Sequence, residues 1–545
     1  SRVTGLTDVS LEGGHLALEG NVSAGQNIAL SGTRLQTGAQ SKVQAQQNLN
    51  VVTTERADSL GEMSSGSSLS LTTGEWLNRG LFVTNGNSTI NVTALNNQGK
   101  IQAQGLQNVT AGTVNNGGIM LSGGHTMLTA DNVTLSGSLG SQQGLNLIAR
   151  QWLKVDPSGL LLSDGSMTLE SARIDLAGSI KAQNDIRVNT TTLNTFGGSQ
   201  LLSDGHIAVM AFASTLAGLM SAGGTLSLES PLLTALDSAH IQARQGMSLN
   251  ASQNALLQGT LVSGGDLTLT SADINHQGTM QSDAGLTLNG TLVNQQGALQ
   301  GKTVAINGQA FTNSGTVLAL NQLDINTQLT DNQTHGKLFS GGNLMLISDV
   351  LNHSGQILAL TDISVRLSQD FTHNSTIAAG NVLSLSTAGA LTQNGTLQGQ
   401  SVSLTSGGLL TSQGKIAAGT GVLKLSGADI VLGDNSNLQS GGNIEITSQN
   451  SINHSGFTGA AGDLRLSAVN DITNSTLLYA AGDMRLFADK ISNLKGDILA
   501  GNNLWMQKDA AGNANSLVLN RSGTIETYDG DITINTGRFK NSYFD

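Results

Sequence analysis

Along nearly the whole chain apolar residues stand two apart with a polar residue between them, and the pattern restarts about every twenty residues. It is plainest over residues 441–506, which read GGNIEITSQNSINHSGFTGA, AGDLRLSAVNDITNSTLLYA, AGDMRLFADKISNLKGDILA and then GNNLWMQ. Gly442, Gly462 and Gly482 fall in register, as do Ile444, Leu464, Met484 and Leu504, and then Ile446, Leu466, Leu486 and Met506. A period of two is the spacing of a strand with one buried face. Each block therefore holds two or three short strands, none large enough to stand alone. Pairing with the same strand of the next block satisfies the backbone groups and covers the apolar face. The economical closed solution is all-β: a parallel β-helix with Val, Leu and Ile in a narrow core and charges outside.

The same reading extends over most of the chain. Early turns begin at GGHLALEG from Gly13 and AGQNIALSG from Ala24. Residues 55–68, ERADSLGEMSSGSS, break the alternation and read as a loop or distorted coil. QWLKVDPSG from Gln151 is a second irregularity, because Pro157 cannot donate to an interior ladder, and Pro231 is expected at a corner. Over residues 264–425 each coil opens with Gly and an apolar-x-apolar strand and then carries Asn275, Asn294, Asn313 or Asn352. Stacked, these amides are expected to form an Asn ladder along the axis. One leading strand per coil gives about 26 coils, a rod about 120 to 130 Å long at about 4.8 Å per coil. After Met506 the period stretches: an insertion at 508–515 precedes strands at 517–519 and 532–534. The expected organisation is a rod over 1–506 and irregular terminal coils over 507–545, leading toward a following receptor-binding region.

Composition narrows the reading. With 69 Gly, 2 Pro and 3% aromatics in 545 residues, the core must be a thin aliphatic column, with Gly and Asn expected at corners that require positive φ. The absence of cysteine excludes disulfides, thiolate catalysis and cysteine metal sites. A net charge of -12 without a basic cluster argues against nucleic acid or an anionic membrane as partner. No apolar run is long enough to span a bilayer, so membrane insertion is not expected. The chain starts and stops inside the repeat pattern and reads as a piece of a longer protein.

Few residues point to chemistry. Asp463 and Asp483 should stack one coil apart, near the roughly 5 Å that separates the two carboxyls of a retaining glycosidase. Arg465 and Arg485, two residues on, share their outward face and are expected to neutralise them as a solvated ladder worth about 0 to 1 kcal/mol per pair. His276, His353, His373 and His454 occupy similar positions, read as polar corners. Zinc would need a third and fourth ligand that the sequence does not supply, so no metal and no cofactor is expected. The GGD at Gly264 does not recur at nine-residue spacing, which excludes the calcium-binding nonapeptide repeat. Trp505, Tyr528, Phe539, Tyr543 and Phe544 gather where aromatics are otherwise scarce, and form either an interaction patch or a plug for the end of the rod.

The units FTNSGTVLA, LNNQGKIQA and AGDLRLSA resemble the hemagglutinin repeat of filamentous hemagglutinin-like exoproteins exported by two-partner secretion in Gram-negative bacteria. The closing stretch NNLWMQKDAAGNANSLVLNRSGTIETYDGDITINTG resembles the end of the first repeat region of CdiA contact-dependent growth inhibition effectors. The resemblance implies a right-handed helix, in line with the general preference for right-handed crossovers. It further implies a secreted, cell-surface filament stalk without enzymatic activity. The partners implied are an outer-membrane two-partner-secretion transporter during export and a target-cell receptor met by a neighbouring region. An NPNG-type export motif, a VENN junction and a toxin domain are absent from the sequence. A host-directed adhesin and a β-helix polysaccharide enzyme are the competing readings.

Overall fold

A computed structural model describes residues 1–544. The chain is a right-handed parallel β-solenoid of about 27 turns, and no helix occurs among the described residues. It divides into two compact units, Ser1–Ala284 and Gly285–Asp545.

In the first unit most coils consist of one long and one short strand, as in Gln107–Asn116 followed by Ile119–Ser122. Strands pair in parallel with their equivalents one coil away, so residues of one kind stack into columns. Ile101, Met120, Leu139 and Leu161 form one such column, and Val109, Leu128, Leu147 and Leu169 another, all buried. Burying one such side chain contributes about 2 kcal/mol. That gain recurs at every coil and offsets the cost of ordering the backbone.

Of the loop and the distorted coil expected at residues 55–68, the structure has the distorted coil. Residues 55–68 are not a loop: strand Asn48–Ser59 runs into Glu62–Ser65, and the irregularity is a bulge between Val52 and Arg56. The bulge absorbs the extra residues and returns Ala57 and Ser59 to the interior. The Gln151 irregularity is handled the same way, with a register shift between Ala149 and Trp152 and a turn containing Pro157, so that Leu153 still stacks on Val133. Pro231 does lie at a bend between two strands.

The expected reason for corner glycines is also corrected. Among the described glycines only Gly198, Gly218 and Gly512 have positive φ, and Lys495 and Ser522 adopt it too. The other corner glycines serve close approach: a Cβ on Gly265 would overlap the carbonyl oxygen of Gln245 in the preceding coil.

In much of the second unit each coil has three short strands, for example Leu464–Ala468, Asp471–Asn474 and Leu477–Ala480. The middle strands form their own sheet of nine, from Phe371–His373 to Phe539–Ser542. Coils persist beyond the insertion at 508–515, since Leu517–Arg521 pairs with Lys490–Leu494 and Ile532–Ile534 with Leu504–Gln507.

Candidate functional site

The anticipated Asn ladder is real but one residue out of place. Asn275, Asn294 and Asn352 point outward, and of the four only Asn313 is buried. The inward position lies two residues after a buried apolar one: Ile274 then His276, Phe311 then Asn313, Leu351 then His353, Phe371 then His373, Ile452 then His454. The histidines expected at polar corners are therefore buried: His276 is an inward rung of the first unit, and His353, His373 and His454 belong to a buried polar column of the second. That parity was present in the sequence, and aligning on Asn identity obscured it.

Amide and imidazole groups satisfy one another along this column. Asn313 Nδ2 donates to Asn332 Oδ1 at 2.8 Å. Asn332 Nδ2 lies 3.3 Å from His353 Nδ1, whose Nε2 donates to the Thr376 carbonyl at 3.1 Å. His353 and His373 stack with ring centroids 5.8 Å apart, and His373 Nδ1 donates to Gln393 Oε1 at 2.6 Å. His454 Nδ1 donates to Asn474 Oδ1 at 2.6 Å, and Asn474, Asn493, Asn520 and Asn541 continue the chain of amides. Burial pushes His353 and His454 down to about 4, outweighing the hydrogen bonds that favour the charged ring, and pushes His373 down as well. The column is a neutral structural spine, and no group of three or more potential metal ligands occurs among the described residues.

The outward wall over residues 441–506 differs from the ladder expected there. Arg485 takes both acids, 2.7 Å from Asp483 and 3.3 Å from Asp463. The remaining Asp463 oxygen accepts the Asp483 N–H at 2.9 Å, and that of Asp483 accepts the Asn503 N–H at 3.2 Å. Both carboxylates are thus occupied on both oxygens, which does not suit the acid and nucleophile of a glycosidase. Arg465 makes no ion pair among the described residues and lies instead over the Phe487 ring at 5.5 Å, as Arg485 lies over Trp505 at 4.8 Å.

These side chains line a lateral groove of about 430 Å³. Its floor holds Phe487 and Gln507, and Ala510 of the 508–515 insertion contributes to its wall. The insertion is held by Asp509, whose carboxylate accepts from Ala511 N at 3.0 Å and Asn513 Nδ2 at 2.8 Å. Those bonds, with Asn513's side chain foremost, hold the Asp509 carboxyl below its usual range. Sequence reasoning missed Arg465 and Phe487 as a pair, although their offset of one coil plus two residues was there to be read.

The five aromatics proposed as a patch do not form one. Trp505 sits in the groove. Tyr528, 92% exposed, lies with Tyr479 beside a separate depression on another face. Phe539 stacks in register on buried Val518, in the last described coil. Phe544 packs between Arg521 and Lys495, at 4.2 and 4.9 Å, and Tyr543 beside it is exposed.

No protein-family model and no solved structure matches the chain. Among curated proteins it is 34% identical over 545 aligned positions to "tRNA nuclease CdiA" of Yersinia mollaretii, covering 98% of this chain and 16% of that protein. It is 33% identical to "Deoxyribonuclease CdiA" of Dickeya dadantii over 482 positions, covering 88% of this chain and 14% of the relative. "Toxin CdiA" of Escherichia coli is 36% identical over 208 positions, or 38% of this chain and 7% of that protein. The chain thus spans about a sixth of the length of the first of these relatives and about a seventh of the second.

Proposed function

This chain is homologous to CdiA proteins along nearly all of its length, and we propose that it is the non-enzymatic stalk of a contact-dependent growth inhibition effector. The observation that carries the reading is the unbroken in-register stacking within each unit, through bulge, proline and insertion alike. A scaffold of that kind sets distance: each coil templates the next and adds about 4.8 Å. The stalk holds a receptor-binding region and a toxin away from the producing cell, and residues 507–545 lead toward that region. An outer-membrane two-partner-secretion transporter exports it to the surface of a Gram-negative bacterium. The toxin and nuclease names of the relatives favour this role over a host adhesin.

Removing one coil, residues 98–116, joins Asn97 to Gly117 and lets equivalent strands meet across the gap. In the full-length effector this deletion should leave inhibition of target cells intact and shorten the filament seen by electron microscopy by about 5 Å. Loss of inhibition by a properly folded, exported deletion protein would refute the stalk role. So would nuclease or polysaccharide-cleaving activity of the isolated chain.

A further inference from the structure

The lateral groove has a feature that a passive stalk does not require. Glu445, Arg465, Arg485 and Trp505 occupy one outward column, in register over four successive coils. Asp463 and Phe487 line the same groove from the columns on either side. Coils repeat about every 4.8 Å, close to the rise of one pyranose unit in an extended polysaccharide, so a linear glycan along the axis meets a new rung with each ring.

The charges in the groove are not equally committed. Arg485 is engaged by two carboxylates, and Glu445 leans toward Lys424 at 3.9 Å. Arg465 is exposed, its guanidinium carbon lies over Phe487 at 5.5 Å from the ring centre, and its N–H fork has no carboxylate partner among the described residues. Such an unpaired fork is suited to bidentate capture of a carboxylate. Half-buried Trp505, 4.8 Å from the Arg485 guanidinium, offers apolar ring surface two coils away, and the Glu445 carboxylate can accept from hydroxyls.

We propose that this groove binds an acidic oligosaccharide lying along the solenoid axis, with a uronate carboxylate on Arg465 and the sugar ring two units further on against Trp505. The site tethers the chain laterally to an acidic surface glycan, a role separate from setting distance and independent of it.

Isothermal titration of the whole chain with trigalacturonate, maltotriose and inorganic phosphate tests this. Trigalacturonate should bind and maltotriose should not. Arg465→Gln and Trp505→Ala should each weaken binding about tenfold, and Arg465→Lys, a point charge without the fork, should fall between. Circular dichroism melting checks that each variant remains folded, and Trp505→Phe, which retains ring surface, should keep part of the affinity. The proposal is overturned if trigalacturonate does not bind, if Arg465→Gln binds it as the parent does, or if maltotriose binds equally well. It is also overturned if phosphate competes with equal affinity while Trp505→Ala changes nothing, which would mark a simple anion contact.

Discussion

One inward column of the first unit changes chemistry midway without changing geometry. Asn78, Asn97 and Asn116 stack in register and are followed in the same column by Leu135, Val155 and Leu176. In the first three, Asn78 donates to Asn97 at 2.7 Å and Asn97 to Asn116 at 2.6 Å, while Asn116 donates to the Ser138 carbonyl at 2.9 Å. In the second three only contact and desolvation hold the stack, and all three residues are fully buried. The two regions show that one position of the solenoid takes either chemistry, and Asn116 against Leu135 marks the change. A polar rung is satisfied where a neighbour or a backbone carbonyl accepts from it, and an apolar rung gains where its neighbours are apolar. From His276 onward there is a third kind, the histidine rung, and with it a dependence on pH that neither Asn nor Leu rungs can have.

That dependence should be the largest effect. In the unfolded chain histidine titrates near 6.5, whereas buried His353 and His454 titrate near 4. Between those values the unfolded chain binds protons that the folded one does not. Stability is therefore complete above about pH 6.5, falls on acidification and levels off below about pH 4, by about 3 kcal/mol for each histidine. Hydrogen exchange, corrected for intrinsic rates, should show coils around His353 and His454 losing about a hundredfold protection between pH 7 and pH 4.5. Coils of the Asn78–Asn116 ladder should change far less. Equal loss in both places would break the distinction between the rungs.

How much of this was legible in the sequence follows from the same parity. The strand period, the aliphatic columns and the approximate number of coils were readable because Leu, Ile and Val at every second position have one physical meaning. The polar interior was not, since Asn at 275, 294 and 352 looks like a column by identity while its side chains point outward. Only the step of two from Phe311 to Asn313, or from Phe371 to His373, tells inside from outside. The groove was harder still: Arg465 and Phe487 are brought together by coil stacking, and the charge pattern of Asp463, Arg465, Asp483 and Arg485 suggested a symmetric ladder. Arg485 instead takes both acids, with Trp505 of the next coil 4.8 Å from its guanidinium.

One mismatched rung should cost less than the two histidines do together. Val155→Asn places one amide between two leucines and should cost about 2 to 4 kcal/mol, read as lost protection in the flanking coils. Converting Leu135, Val155 and Leu176 together to Asn should cost clearly less than three times that amount, because the amides can then pair. The mirror change, Asn97→Leu, leaves Asn78 and Asn116 without their shared partner and should cost about 1 to 3 kcal/mol. Strict additivity of the triple substitution would show that rungs do not read their neighbours.

The smallest effect belongs outside. Arg34 and Glu55 pair at 2.8 Å with both side chains more than half exposed. Arg34→Ala should change protection in its coil by no more than about 1 kcal/mol, and high salt should erase the difference.

The corner glycines have a bearing on how such a chain changes in length over generations. Gly265 is needed because of the Gln245 carbonyl in the coil before it, and Gly86 because of Ser67 in the same way. A coil with such a corner carries in its own sequence the accommodation for its predecessor. A tandem duplication of one coil therefore inherits its fit along with its strands, and the copy is seated from the moment it arises. Lengthening needs no compensating change elsewhere, so gene-level copying errors translate directly into reach.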